Sequence, residues 1–421
     1  MKLASRAALV ACLCLVLFAA AVAAAQGDLA GGVGQFAIQP KKERAVASAK
    51  PKAPTVRRGP RATVNDRLIA AAAGTGGEAS VAGTLKLGAD ANAKSAEGCA
   101  ALVYAVAAKN TEAAQSLLEK GADVNSRCTD GVTALMVAAE AGDETSAQAL
   151  AARGADANVK TEDGRTALMF AASNGRLAVV RALLAKGADV NARYRDGRTA
   201  LIFAAANGFA EVAEELIAKG ADVNARADDG WTPLLWASWF GHADAVKLLL
   251  ERGADVRIRD KDKDTALMKA ATQGHTGVVK MLLDKGAEAD ARGNGGGTAL
   301  LFAASRPAGY DVAEALLANG ADVNARNDSG MTPTILAAAY GRIPTLEVFI
   351  AKGADVNAHT PKGFSALIAA ANKGLASTAQ LLIEHGADVN AKYEDGRTAL
   401  SFAEQNGQTK VIEVLKAAGA K

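Results

Sequence analysis

Apolar residues in this chain recur as two short helical runs per unit. In the stretch 196–224, the first run covers residues 201–205, and the second places Val212, Leu216 and Ile217 on one helical face. This spacing predicts two short helices, each with one apolar face. Neither helix can bury that face alone, so the pattern predicts that neighbouring units stack on one another.

Turn and cap residues separate the two runs. The pair Asp196-Gly197 predicts a turn, and Thr199 is placed to cap the first helix. Gly208 is expected to end that helix, because glycine readily adopts the left-handed conformation found at helix C-termini. The second helix is predicted over residues 210–219.

The same unit repeats along most of the chain. Nine of the ten intervals between its recurring Gly-Ala pairs are 33 residues and one is 34. These pairs begin at Gly88, Gly121, Gly154, Gly187, Gly220, Gly253, Gly286, Gly320, Gly353, Gly386 and Gly419. Threonine recurs as the first-helix cap at Thr133, Thr166, Thr199, Thr232, Thr265, Thr298, Thr332 and Thr398, with Ala100 and Ser365 in the same register. A fixed period of this length predicts a solenoid.

This pattern resembles the ankyrin repeat over residues 66–421. The resemblance implies an all-α solenoid of about 11 helix-turn-helix units, connected by outward β-hairpin loops, with a concave face that binds other proteins. The chain departs from the family's Thr-Pro-Leu-His pattern in one consistent way, since no unit has the histidine. The position holds Val103, Met136, Met169, Ile202, Leu235, Met268, Leu301, Ile335, Ile368 and Ser401, so apolar packing is expected to replace the histidine's hydrogen bonds.

The period divides the repeat domain into an N-terminal cap and ten repeats. The cap covers 66–96 and lacks the threonine motif. The predicted repeats are 97–129, 130–162, 163–195, 196–228, 229–261, 262–294, 295–328, 329–361, 362–394 and 395–421. The additional residue of the 34-residue interval falls near 306–309, between two helices, where a loop can absorb it.

The N-terminal 25 residues have the order of a secretory signal peptide. Lys2 and Arg6 precede an apolar run, and small residues end at Ala25 before the expected cleavage. An uncleaved anchor and a lipoprotein signal ending at Cys12 are the alternatives. The apolar run is barely long enough for the anchor and too short before Cys12 for the lipoprotein. We expect an exported, bacterial periplasmic protein, with secretion or N-terminal anchoring as alternatives.

Residues 26–65 are predicted to be a disordered basic linker. They contain four of the nine prolines, eight Lys or Arg residues and only two acidic residues, which gives a net charge of +6. One interpretation is a solvated spacer. The other is attraction to an anionic surface, such as acidic lipid headgroups, in a surface-associating or host-directed factor.

Composition and charge narrow the class of protein. About 100 Ala residues argue against three bulky-core domains and suit closely packed helices. Subtracting the signal peptide's +2 and the linker's +6 from the total of +3 leaves −5 for the repeats, which does not favour nucleic acid. No later segment is apolar over 18 residues, so no membrane span is expected in the mature chain. We expect a monomer.

Catalytic and ligand-binding patterns are weak. His242 and His275 occupy equivalent positions in adjacent repeats, about 10 Å apart, which is too far to share a metal ion. The glycine run 293–297 is expected at a loop tip and lacks the Lys-Ser/Thr of a phosphate-binding loop. A row of basic residues is interpreted as helix C-terminal charge compensation. Its members are Lys120, Arg153, Lys186, Lys219, Arg252, Lys285 and Lys352. We therefore expect neither an enzyme nor a cofactor.

Two cysteines remain after the expected cleavage. In the register of the resembled family, Cys99 follows a hairpin glycine and Cys128 lies in the next hairpin. Neighbouring hairpins would make a disulfide feasible in an oxidising compartment. The sequence leaves both the bridged and the reduced state open.

Aromatic residues give the most specific functional signal. Thirteen of the 16 aromatics in 66–421 fall at five of the 33 repeat positions, which the resemblance places largely on the concave face. All three tryptophans lie within ten residues of Phe240. The candidate partner-binding residues are Trp231, Trp236, Trp239, Phe240, Phe203, Phe170, Tyr194 and Phe302.

Two interpretations of these aromatics stay open. Phe170, Phe203 and Phe302 either pack between repeats or face a partner, and the sequence does not favour one of these. For Trp231, Trp239 and Phe240 we expect exposure, because clustered aromatics dominate protein interfaces. The leading hypothesis is a non-catalytic scaffold that binds a protein partner of unknown identity. The alternatives are the surface-associating factor and an enzyme with a shallow groove, for which no convergent set of residues is found.

Overall fold

The structure is a computed structural model that describes residues 48–51, 54, 62–76 and 80–421. The predicted signal peptide, residues 1–25, lies outside the described residues, as does most of the predicted linker. No helix in the described ranges is both long and apolar enough to cross a membrane.

The described part of the chain contains 22 α-helices, which confirms the predicted all-α class. In chain order, α1 to α22 are Val64–Ala72, Val81–Lys86, Ala101–Ala107, Thr111–Glu119, Ala134–Ala141, Glu144–Ala152, Ala167–Ser173, Leu177–Ala185, Ala200–Ala206, Ala210–Ala218, Pro233–Phe240, Ala243–Glu251, Ala266–Gln273, Thr276–Asp284, Ala299–Ala304, Gly309–Ala318, Pro333–Ala339, Ile343–Ala351, Ala366–Asn372, Ala376–Glu384, Ala399–Gln405 and Thr409–Ala417. Within each pair, odd-numbered helices are the first helices and even-numbered helices the second.

The connecting segments are the expected hairpin loops, reduced to tight turns. Within the described residues there is no β-strand, and only two isolated β-bridges occur, Lys94 to Ala100 and His359 to Ser365. In the worked repeat, Tyr194 N donates to Arg198 O and Gly197 N donates to Tyr194 O. Such a tight turn leaves too few paired residues on either side to form a strand ladder.

The predicted helix limits in the worked repeat are close to those observed. Thr199 caps α9 by accepting a hydrogen bond from Ile202 N, an interaction worth about 1 kcal/mol in helices generally. Gly208 follows the helix with φ +75°, where a side chain would be strained. Helix α10 then runs from Ala210 to Ala218, with Lys219 as its C-cap.

The N-terminal helix begins inside the region predicted to be linker. Helix α1 starts at Val64, and Thr63 caps it by accepting from Asp66 N. The Asp66 carboxylate in turn accepts from Thr63 N, which completes a capping box. A threonine therefore caps this helix too. It lies four residues before Arg67, the position equivalent to the capping threonines of the other repeats.

A second part of the predicted linker also packs against the repeats. Ala49 is fully buried, and the Ser48 hydroxyl donates to the Glu140 carboxylate at 3.0 Å. The structure therefore places these two residues against the repeats, and the predicted disorder of the linker stays a prediction. The basic positions Lys41, Lys42, Arg44, Lys52, Arg57, Arg58 and Arg61 lie outside the described residues.

The described residues form two compact units, one ending at Asn294 and the other beginning at Gly295. In the first unit, six leucines of successive second helices are at most 1% exposed. These are Leu117, Leu150, Leu183, Leu216, Leu249 and Leu282. In the second unit, Leu316, Phe349, Leu382 and Leu415 are fully buried. In each unit the core is a column of side chains between the first and second helices.

A hydrogen-bond ladder joins successive repeats within each unit. Asn158 Oδ1 accepts from Asp189 N at 2.7 Å, and Asn158 Nδ2 donates to Gly187 O at 3.0 Å. The same pair of bonds recurs at Asn92, Asn125, Asn191, Asn224, Asn324 and Asn357. At Arg257, which occupies the asparagine position, the side chain instead pairs with Asp255 two residues earlier. The ladder is therefore broken there.

We expect Asn158→Ala to destabilise the first unit by about 1 kcal/mol, because two solvent-accessible inter-repeat hydrogen bonds are lost. Urea unfolding followed by circular dichroism measures the loss. Arg257→Ala is the matched control at the same repeat position, and it should change stability by less than about 0.5 kcal/mol. Equal losses in the two variants would show that the ladder does not stabilise the stack.

Candidate partner-binding face

Two repeat positions build one face of the first unit. The turn position lies immediately before the capping threonine and holds Arg165, Arg198, Trp231 and Asp264 in four successive repeats. The ring position lies four residues after the capping threonine and holds Phe170, Phe203, Trp236 and Lys269. Because adjacent first helices pack directly against one another, side chains from these positions interleave. We call the result the cation–ring row.

Arg165 begins the row as a buried cation. It is 2% exposed, and its guanidinium carbon lies 4.7 Å from the Phe170 ring centre and 5.3 Å from that of Phe203. Burial lowers the pKa of Arg165, partly offset by the negative charge of Asp163. Burial of this planar guanidinium is tolerated because it stacks on ring faces that carry negative charge density.

Arg198 extends the row by one repeat. Its guanidinium carbon lies 4.8 Å from the Phe203 ring centre and 5.6 Å from that of Tyr194, and it forms an ion pair with Asp196 at 2.9 Å. One phenylalanine ring is therefore contacted by the guanidinium groups of two successive repeats.

Tyr194 links the row to an acidic residue. Its hydroxyl donates to the Asp163 carboxylate at 3.0 Å. Desolvation raises the pKa of Asp163, but hydrogen bonds from Thr161 and Tyr194 and the charge of Arg165 outweigh it, so the pKa is lowered overall. Asp163 therefore provides a fixed negative charge beside the buried guanidinium.

The tryptophans form one packed cluster. Ring centres of Trp231 and Trp236 are 4.5 Å apart, those of Trp231 and Trp239 6.0 Å, and those of Trp236 and Phe240 5.9 Å with nearly parallel planes. Trp231, Trp236 and Trp239 are only 6%, 6% and 7% exposed. The expected exposure of Trp231 and Trp239 is wrong, because these large rings fill space between neighbouring alanine-rich helices.

Phe240 differs from the three tryptophans. It is 39% exposed at the C-terminal end of α11, with one face of its ring against Trp236. The expectation of exposure is confirmed for this residue.

A buried ion cluster closes the row. Lys269 Nζ lies 2.7 Å from Asp260 Oδ2 and 2.8 Å from Asp264 Oδ2, and all three side chains are at most 2% exposed. The same ammonium lies 4.8 Å from the Trp231 ring centre. Desolvation raises the pKa of Asp264, partly offset by the charge and hydrogen bond of Lys269. The sequence analysis missed this cluster, although charged residues at positions that hold rings in other repeats were a usable signal.

The remaining aromatic candidates are buried as well. Phe170, Phe203 and Tyr194 are 2%, 1% and 9% exposed, so packing between repeats is their observed environment. In the second unit Phe302 is 3% exposed, and its ring occupies the space that a Cβ at Gly297 would need. Their role in partner binding stays a prediction.

The accessible part of the face lies at the ends of the first helices. One repeat position there holds Ala141, Asn174, Asn207, Phe240 and Gln273, none of which is buried. We call this row the helix-end strip. Phe240 is its only aromatic residue, with Asn207 and Gln273 at the equivalent positions on either side.

The other candidate chemistry has structural explanations. His242 and His275 each place Nε2 3.0 Å from a carbonyl oxygen of the preceding repeat, Ala206 O and Trp239 O respectively. Among the residues that the structure describes, no cluster of His, Cys, Asp and Glu could hold a metal ion.

The seven basic residues ahead of the repeat glycines are all helix C-caps, as interpreted from the sequence. Cys99 and Cys128 are joined by a disulfide.

Comparison with protein families identifies the repeat. A family model described as ankyrin repeats in three copies matches residues 68–161, 130–194, 168–260, 234–327 and 334–421. A second model, described as ankyrin repeats in many copies, matches residues 308–350. Comparison with curated protein sequences gives no match.

We expect Lys269→Met to destabilise the first unit by about 3–5 kcal/mol at neutral pH, because it leaves two carboxylates buried without their cation. The loss should shrink as the pH falls. The pKa of Asp264 is raised in the folded state, so the folded state binds the proton of this carboxyl group more tightly than the unfolded state does. The stability that this group contributes is therefore lost as the pH rises through its folded-state pKa. Thermal unfolding at several pH values measures this dependence.

The control for this variant is the triple change Asp260→Asn, Asp264→Asn and Lys269→Met, which leaves no charge in this cluster. It should recover most of the lost stability and show no comparable pH dependence. A Lys269→Met loss that is independent of pH would contradict the electrostatic explanation.

Proposed function

The chain belongs to the ankyrin-repeat family, and on that premise we propose that it is a non-catalytic scaffold that binds a protein partner on the face of its first helices. Ankyrin repeats generally mediate protein–protein interaction. The observation that supports a specific site is the exposed Phe240 ring, held against a buried tryptophan cluster.

The surroundings of Phe240 suit a protein interface. Energetically important interface residues are typically aromatic, lie centrally and are surrounded by polar residues that exclude water on binding. Phe240 has Asn207 and Gln273 at the equivalent positions of the adjacent first helices. Because Trp236 already supports the ring, little side-chain freedom would be lost when a partner covers it.

The tryptophans are then positioning residues rather than contact residues. The indole N–H of Trp236 is buried with no acceptor among the described residues, an arrangement that generally costs about 1–3 kcal/mol. Proteins tolerate such costs most often where function requires the residue. We infer that the cluster fixes the place and orientation of Phe240 at a cost in stability.

We expect Phe240→Ala to weaken partner binding at least tenfold while leaving helicity unchanged and lowering stability by only about 1 kcal/mol, since the side chain is partly exposed. The measurement is quantitative mass spectrometry of proteins captured from the native extract by immobilised protein. Tyr340→Ala is the matched control, because Tyr340 occupies the same repeat position in the second unit and is 38% exposed.

Proteins captured by the wild type and by Tyr340→Ala, but not by Phe240→Ala, would support the site. The proposal fails if Phe240→Ala captures the same proteins in the same amounts. Substitution of Trp236 or Trp239 by alanine is a poorer test, because truncating a buried tryptophan costs about 3–5 kcal/mol and confounds binding with stability.

We also propose that the protein is exported, with the periplasm as its location. Two features support this: the signal-peptide order of residues 1–25 and the Cys99–Cys128 disulfide, a bond that persists in oxidising compartments. Fractionation of cells that express the full chain should place the protein in the osmotic-shock fraction. Recovery from the medium would indicate secretion, and recovery from membranes would indicate an anchor or binding by the basic linker. Retention in the cytosol would contradict export.

A further inference from the structure

The first unit has a cavity on the side of the second helices, away from the proposed partner face. It is open to solvent, has a volume of about 280 Å³ and lies between α4 and α6, and its lining residues Gln115, Thr145, Ala149 and Arg153 are exposed. Leu118 and Gln115 line it from α4, and Thr145, Ala149 and Arg153 from α6 and its C-cap. Buried Val106 of α3 also contributes to the lining.

Differences in side-chain size create the cavity. Ala149 lines it, and the flanking repeats also have small residues at the equivalent positions, Ser116 and Ala182. On the opposite side of α6, Ala151 replaces the larger residues found in the adjacent repeats, Leu118 and Leu184. Helix α6 accordingly packs closely against α8, which leaves the space on the α4 side open.

The lining combines apolar walls with hydrogen-bond donors and one cation. The side chains of Leu118, Ala149 and Leu150 supply apolar surface, and Thr145 supplies a hydroxyl. Among the described residues, no carboxylate forms an ion pair with the Arg153 guanidinium. The carboxylate of Glu119 on α4 accepts a hydrogen bond from Gln115 Nε2 at 3.2 Å. Arg153 is therefore available to pair with an anion.

We propose that this cavity binds a small amphiphilic carboxylate, with its apolar chain between α4 and α6 and its carboxylate paired with Arg153. The volume is near the lower limit for small-molecule sites and far too small for a macromolecular segment. The lining covers two turns of each helix, roughly 10 Å, which suits an acyl chain of medium length. Octanoate is a probe of this chemistry.

Titration of the full protein with octanoate, followed by NMR of selectively labelled leucine methyl groups, tests the proposal directly. Saturable shifts are expected at Leu118 and Leu150, whereas methyl groups of distant leucines such as Leu382 should not move. Ala149→Leu fills the cavity and should abolish these shifts. Ala182→Leu, at the same position one repeat later, is the matched control and should retain them.

The charge assignment has its own variants. Arg153→Gln should weaken octanoate binding about threefold, as expected for a partly solvated ion pair, while Lys186→Gln one repeat later should not. Octanol, which lacks the carboxylate, should bind more weakly than octanoate to the wild type and equally to both glutamine variants.

Absence of localised shifts, or their persistence in Ala149→Leu, would overturn the site. Equal binding of octanol and octanoate would overturn the carboxylate assignment. These outcomes do not depend on the partner face, because none of the variants alters Phe240 or its neighbours.

Discussion

Every feature of this protein depends on the inability of one repeat to bury its own apolar surface. The helices of the described residues are six to ten residues long, too short to persist alone, and each presents one apolar stripe. Stacking gives that stripe a partner, so leucines such as Leu183 and Leu216 become fully buried only between repeats. The asparagine ladder adds directional bonds at each junction, as Asn158 shows, and fixes the register in which the stripes meet.

Close stacking determines where large side chains can go. Alanine pairs allow adjacent first helices to approach, and any ring at the neighbouring position must then lie between them. Phe203 is enclosed in this way, with Arg165 and Arg198 both near its ring. Burial of the cations is tolerated because their planar or compact charged groups contact aromatic ring faces or carboxylates in the same layer of the stack. The result is a face whose aromatic residues are mostly internal, with accessible contact concentrated at the helix ends.

The two proposed sites arise from local departures from an otherwise uniform repeat. At Phe240 a large ring stands where neighbouring repeats have an amide, so apolar surface projects outward. At Ala151 a small residue stands where the flanking repeats have Leu118 and Leu184, so α6 packs against α8 and a cavity remains on its α4 side. In a quasi-one-dimensional structure such changes affect adjacent repeats only, which lets the partner face and the cavity vary independently.

Sequence alone determined the helix pairs, their caps and their number, because each of these depends on residues within one repeat. Thr199, Gly208 and Lys219 illustrate this, since their roles follow from near neighbours in the chain. The sequence also indicated that Trp231, Trp236 and Phe240 lie together, because they fall within ten residues of one repeat. Their exposure was decided only by the tertiary structure. Trp231 is buried partly by Lys269, which forms ion pairs with Asp260 and Asp264 of the next turn. The repeat period does not encode how deeply one repeat covers another. The tightness of the hairpin turns in the described residues and the opening between α4 and α6 were decided there for the same reason. Both depend on distances between backbones, which follow from the sizes of all the side chains packed between them.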